Sequence, residues 1–260
     1  MKNYILFEKK DNIGWITLNS PKQRNALSLE LMNEMQKKLN ILSKDKEVKV
    51  IVIKGNGPSF CTGHNMKELV GKNYDLAYFK KIFTKCSQMM QTIQNLPQPV
   101  IAQVHGIAMA AGCQLVAECD LAIADTKTKF STPGVKIGLF CSTPMVPLSR
   151  TIGRRRALEM LFTGRLVSAK EAEKFGLINK VVAPKSLSKE TEKWAKEIAK
   201  YSRYTLELGK KAFYKQFDMD EKSAYKYAIE VISKNCLDYD AQEGMKAFLE
   251  KRKPKWKDRK

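Results

Sequence analysis

The chain has 260 residues, 43% of them apolar and 28% charged, enough for a sizeable core and incompatible with wholesale disorder. Lys and Arg number 47 against 27 Asp and Glu, a net charge of +20, which favours anionic partners such as nucleic acid, an acidic membrane face or a phosphorylated ligand. Its 6 cysteines form no CxxC pair, so zinc-ligand spacing is missing, and a chain of this length needs no disulfide framework. Reduced thiols in an intracellular compartment are expected.

Taken in order, residues 4–8 and 13–19 are apolar, β-rich runs around Lys9-Lys10-Asp11-Asn12 and predict a hairpin, with no signal or transit segment before it. Ser28 to Leu42 carries Leu31, Met32, Met35, Leu39 and Leu42 at helical spacing. Val48 to Ile53 predicts a buried strand closed by Gly55-Asn56-Gly57-Pro58. A helix follows across 75–95, then a strand Val100–Val104, a helix near 111–119 and a strand Leu121–Ala124. The longest apolar stretch, Val100 to Ala117, holds Gln103, His105 and Gln114 and is no membrane span. Ser168-Ala169-Lys170-Glu171 is a capping-box start, and Leu177–Val182 predicts one last strand. From 188 to 250 the pattern is nearly continuous helix, broken at Tyr201-Ser202 and at Asp218 to Asp220. Strands alternating with helices predict an α/β core over 1–200 and a helical region over 201–260. The final ten residues are seven-tenths basic and are expected to fray.

Three segments hold residues suited to chemistry. Asn19 to Ser28 is a polar loop opening a helix, with Lys22, Arg24 and Ala26. Phe60 to Glu68 is a glycine-bearing loop that also opens a helix, with Thr62, His64, Met66 and Lys67. Val104 to Leu115 runs through His105 and then Ala110, Ala111, Gly112 and Cys113 to Gln114, small residues opening a buried helix. Alone, each reads as readily as packing. Backbone N–H groups at such helix starts are nevertheless free, and the helix dipole favours negative charge there.

In this order and spacing the segments resemble the crotonase superfamily, the enoyl-CoA hydratase/isomerase fold. The resemblance continues through Phe130-Ser131-Thr132-Pro133, Leu161 to Gly164, Ser168-Ala169, Gly176-Leu177 and Gln242 to Arg252. It implies a crotonase-like spiral of β-β-α turns with a C-terminal helical region, assembled as a homotrimer or dimer of trimers. The implied ligand is an acyl-CoA thioester, with coenzyme A as part of the substrate and no metal or redox cofactor. The backbone N–H groups of His64 and Ala111 would form an oxyanion hole for the thioester oxygen. Lys22, Arg24 and Ala26 would meet the CoA end, joined by Lys67 and by Lys251 from this or a neighbouring subunit. Thr62, Met66, Gly112, Pro133, Phe140 and Cys141 complete the implied substrate site. The implied compartment is a bacterial cytoplasm or the mitochondrial matrix.

Two positions depart from the pattern. Hydratases of the superfamily use two glutamates, and the matching positions here are Gln114 and Gly134. Gln cannot act as a general base and Gly has no side chain. Gly134 to Pro144 holds no Asp or Glu, Lys136 being its only charged residue, so standard isomerisation is not expected either. Glu118, one turn after Gln114, reads as solvated or structurally paired, with a catalytic role the minor alternative. Cys141 reads as a pocket-lining thiol rather than a nucleophile, because neither His64 nor His105 is visibly its base. The expectation is chemistry that depends on enolate stabilisation: decarboxylation, thioester hydrolysis or weak isomerisation. The alternative is a catalytically silent protein on this fold that binds nucleic acid or serves as a scaffold. The +20 charge favours it, while lysines spread over the whole chain and the lack of an aromatic-basic signature count against it.

Overall fold

A computed structural model describes residues 3–71 and 73–258. The chain opens with the hairpin β1 (Ile5–Lys10) and β2 (Ile13–Leu18), joined by Asp11 and Asn12, both with positive φ. Two such residues give the turn whose twist matches a two-residue hairpin, and Asp and Asn tolerate it well. Next come α1 (Leu29–Leu42), β3 (Val50–Gly55), the short α2 (Met66–Val70), the long α3 (Leu76–Asn95), β4 (Val100–Val104), β5 (Ile107–Met109), α4 (Ala111–Glu118), β6 (Leu121–Asp125) and β7 (Lys129–Ser131). The middle of the chain adds α5 (Met145–Ile152), α6 (Arg154–Thr163), β8 (Val167–Ser168), α7 (Ala169–Phe175) and β9 (Lys180–Val182). Four helices close it: α8 (Leu187–Ala199), α9 (Arg203–Phe217), α10 (Glu221–Asn235) and α11 (Tyr239–Leu249).

Strands β1-β2-β3-β4-β6-β9 form one sheet, parallel from β2 onward, and β5-β7-β8 form a second, small one. One face of the large sheet packs on α1, α3 and α4 through Ile16, Ile51, Ala102 and the five apolar residues of α1 named above. The other face packs Trp15, Val52 and Ile101 against Ala195 of α8. This two-sided burial is why the central strands read as unbroken apolar runs. Ser28 caps α1 by accepting the Leu31 N–H at 3.1 Å, and Ser168 and Glu171 form the expected capping box on α7.

The structure corrects three sequence expectations. The last strand of the large sheet begins at Lys180, because Leu177 and Ile178 fill the core from a loop instead. The second sheet escaped notice because strands of two or three residues show no alternation. Residues 252–258 are tethered rather than frayed. The buried carboxylate of Asp240 accepts the N–H groups of Lys257 (2.7 Å) and Asp258 (2.9 Å), and Trp256 donates to the Lys200 carbonyl at 2.8 Å. Asp258 in turn holds Lys49 at 2.8 Å and the Arg203 N–H at 2.7 Å. Acidic and aromatic residues make these anchors, so counting the tail's basic residues misjudged it.

Helix α9 is joined to the core by a buried polar cluster. Lys210 Nζ donates to Asp120 Oδ2 (2.7 Å) and to the carbonyls of Ile93 (3.1 Å) and Gln98 (3.0 Å), while Tyr214 donates to Asp120 Oδ1 at 2.9 Å. Outward, α9 to α11 leave Phe213, Phe217, Ile229, Ile232, Phe248 and Leu249 exposed. Among the described residues no helix is long and apolar enough to cross a membrane.

Candidate active site

The three segments singled out in the sequence lie side by side, stitched backbone to backbone. Leu27 N–H donates to the Gly63 carbonyl at 2.7 Å, and Asn65 N–H returns to Leu27 at 3.2 Å. Cys61 N–H donates to Ile107 at 3.1 Å, and Met109 N–H returns to Cys61 at 3.0 Å. Ala110 N–H continues the series to the Ser131 carbonyl at 2.9 Å. Asn25, fully buried, locks the first loop to the second segment: its amide nitrogen donates to the carbonyls of Asn56 (2.9 Å) and Ser59 (2.8 Å), and its oxygen accepts the Ser20 N–H at 2.8 Å. Sequence reasoning missed Asn25, which sits directly after the charged residues that drew attention. Its one signal was an Asn in a turn, where positive φ is tolerated; φ here is +55°.

The pairing register aims the His64 N–H away from Leu27, towards the segment that carries Ala111. No hydrogen bond engages the N–H of His64 or Ala111 among the described residues. Ala111 is the first residue of α4, so its N–H is free by construction and lies at the positive end of the helix dipole. The two loops touch: a Cβ built on Gly63 would lie 3.1 Å from the Met109 oxygen and 3.5 Å from the Ala111 nitrogen. Gly112 abuts the Cys61 carbonyl. The two unengaged N–H groups thus lie on touching loops in a wall of small residues, a setting suited to an oxygen carrying developing negative charge.

The His64 ring packs edge-on against Phe83 of α3, with centroids 5.1 Å apart, and neither shielded ring nitrogen has a hydrogen-bond partner among the described residues. Burial pushes its pKa down to about 4, with a weaker opposing pull from the Leu27 backbone, so the ring is neutral near pH 7. Gln114 is buried on α4, and its Oε1 likewise lacks a partner. Gly134 lies in the 3-10 turn Pro133–Ile137, where a Cβ would stand 2.6 Å from the Leu139 oxygen and 2.9 Å from Cys141 Sγ. The chain itself fills the space a side chain at 134 would need. Cys141 is buried and its thiol is pushed up by that burial, against a pull from the Gly134 backbone, so it is no ready thiolate. Phe140, beside it, is half exposed and pairs with Phe162 at 6.1 Å.

The cationic residues are spread more widely. Lys22 and Arg24 are exposed on the first loop without ion-pair partners among the described residues, and the Arg24 carbonyl accepts from Thr62 Oγ1 at 3.3 Å. Ala26 is part-exposed between them and Leu27. Met66 and Lys67 open α2, both exposed, behind an Asn65 cap. Lys251 stands in the turn after α11, and within the chain no hydrogen bond or ion pair of the described residues ties it to the first loop. Glu118 ends α4, ~10 Å along the axis from Ala111, remote from the paired N–H groups. Burial pushes its carboxyl up to about 7, partly opposed by Arg150. His105 is a loop staple, its Nε2 lying 2.8 Å from the Gly57 carbonyl. Among the described residues no cluster of three or more His, Cys, Asp or Glu could hold a metal ion.

A model of the enoyl-CoA hydratase/isomerase family matches residues 8–259. The chain belongs to that family, and its α/β architecture is the crotonase fold. It superposes on the crystal structure of an enoyl-CoA hydratase from Mycobacterium smegmatis with a TM-score of 0.96 and 44% identity, over 98% of this chain and 99% of that one. More particularly, it is similar to enoyl-CoA hydratase domain-containing protein 3. The Homo sapiens protein, mitochondrial by its name, is 48% identical over 246 residues, 95% of this chain and 81% of the relative. The crystal structure of the human protein matches at 46% identity and a TM-score of 0.95, over 98% of this chain and all of that one (100%).

Proposed function

We propose that the protein binds acyl-CoA thioesters and acts on them by stabilising an enolate, without efficient hydration. The thioester oxygen accepts hydrogen bonds from the N–H groups of His64 and Ala111. Negative charge that develops on that oxygen as the α-carbon gains electrons is met by two fixed donors and the α4 dipole. One such donor is worth about 3 kcal/mol in a transition state. Adding water across a double bond needs a group to take a proton from the water and one to deliver a proton to carbon. Gln114 and Gly134 offer neither, and the neutral His64 ring is walled in by Phe83. Decarboxylation fits best, because leaving CO2 itself generates the enolate; thioester hydrolysis and weak isomerisation fit next.

Lys22 and Arg24 serve the phosphates of CoA, with Ala26 at its adenine end, and Lys67 and Lys251 add cations, Lys251 from a neighbouring subunit. Thr62, Met66, Gly112, Pro133, Phe140 and Cys141 line the rest. The exposed apolar residues of α9 to α11 support a trimer, or a dimer of trimers, built through 201–260. Neither metal nor redox cofactor enters the reaction; CoA arrives with the substrate. The names of the curated relatives favour the mitochondrial matrix.

The observation that carries this reading is the pair of unengaged, adjacent N–H groups beside two positions without carboxylates. Incubation with crotonyl-CoA, followed by mass spectrometry for water addition, tests it. The expected result is hydration at the buffer rate and turnover of a malonyl-type thioester. Rapid hydration overturns it, and salt-steep RNA binding without thioester turnover would replace it with the scaffold role.

A further inference from the structure

Each of the two donor N–H groups follows a residue with positive φ, and the two differ in kind. Before His64 stands Gly63 at φ +93°, a conformation open to glycine. Before Ala111 stands Ala110 at φ +48° and ψ −117°, which a residue with a Cβ rarely adopts. Such a residue persists only where its surroundings over-determine it, and these outliers cluster at functional sites. Ala110 is held from both sides: its N–H donates to Ser131 at 2.9 Å, and its carbonyl accepts the Gln114 N–H at 2.9 Å. Its methyl group faces the other loop, since a Cβ built on Gly63 would lie 3.0 Å from Ala110 Cβ. Glycine at 110 would keep both hydrogen bonds without strain, so neither explains an alanine there. What alanine adds is the methyl group that faces the Gly63 position.

We propose that Ala110 is a positioning residue of the oxyanion site, its methyl group acting as a wedge that spaces the His64 loop from Ala111. The inference rests on the reading of those two N–H groups as thioester donors. The twist at Ala110 turns the Ala111 N–H outward at the helix start, and the methyl stops the Gly63-His64 loop from closing on it. Without the wedge, the Gly63 loop gains room and the gap between donors is no longer fixed.

Ala110→Gly removes the wedge and relieves the strain, while Ala110→Ser keeps the Cβ. Site-resolved amide hydrogen exchange of the free protein is expected to show the Asn65 N–H, whose bond to the Leu27 carbonyl holds the His64 loop, exchanging about tenfold faster in Ala110→Gly, despite a raised Tm, and near wild type in Ala110→Ser. With an arylacryloyl-CoA bound, the wild type is expected to shift the chromophore's absorption to the red, as two donors polarise the conjugated carbonyl. Ala110→Gly should lose about half of that shift and bind about tenfold more weakly, and Ala110→Ser should restore both. Equal Asn65 exchange in wild type and Ala110→Gly overturns the proposal whatever the ligand does. A wild type without a red shift, whose Asn65 exchange still responds to glycine, would sink the thioester reading and leave the spacing role standing.

Discussion

The two ends of α4 treat buried polarity in opposite ways. At its C-terminal end, Asp120 just beyond the helix is satisfied by Lys210, Tyr214 and the Val100 N–H, the last at 2.7 Å, and Lys210 also donates to two carbonyls. At its N-terminal end, the Ala111 N–H, Gln114 Oε1 and both nitrogens of His64 have no hydrogen-bond partner among the described residues. Buried polar groups normally find partners, because leaving one unpaired costs about 1–3 kcal/mol. The satisfied end therefore reads as structure, fastening α9 to the core, and the unsatisfied end is where the proposed thioester oxygen would be received.

The largest effect should come from breaking the satisfied end. Lys210→Met strands Asp120 and two carbonyls and should cost about 3–5 kcal/mol in urea denaturation. A loss below 1 kcal/mol would mean that the cluster is not a fastening. His64→Phe should cost little at neutral pH, since no hydrogen bond is lost, but it should change the pH dependence. The ring's folded pKa of about 4 lies below its ordinary 6.5. The unfolded chain therefore binds more protons between those values, and the stability contribution, complete above pH 6.5, is lost as pH falls towards 4. That loss is on the order of 3 kcal/mol, and it should vanish in His64→Phe when denaturation is followed across pH.

Gly134→Glu tests whether the missing carboxylate can simply be restored. The Leu139 carbonyl occupies the path of the side chain, so the variant should lose about 2 kcal/mol of stability and gain no hydration of crotonyl-CoA. Hydration at enzyme-like rates would show that the 139–141 loop yields. The smallest effect belongs to Glu118. Its folded pKa of about 7 exceeds its ordinary 4.5, so the folded chain binds more protons in that window and stability falls as pH rises through it. Glu118→Gln should raise Tm at pH 8 and leave it unchanged at pH 4. A rise at both pH values would mean that the carboxyl is not the cause.

Much of the site was legible because its signals are local. A helix start needs small residues and free N–H groups, and those read directly from Ala110 to Gly112. The absence of carboxylates at 114 and 134 is likewise a matter of residue identity. The paired state of Asp120 was not legible, because its partners Lys210 and Tyr214 stand 90 and 94 residues away. Nor was the role of Asn25, whose contacts at 56 and 59 depend on how two loops meet.

Periodicity, caps and turn residues determined by themselves that this chain builds an α/β core with a helical C-terminal region. Each is set by interactions within a few residues. Tertiary structure alone decided that the Leu139 carbonyl and Cys141 fill the space beside Gly134, that the His64 ring is neutral and unpaired against Phe83, and that the tail is held by Asp240. It also decided that Ala110 takes a backbone conformation its own side chain disfavours. Those outcomes depend on packing between segments distant in the chain, where close contact and lost solvent outweigh local preference.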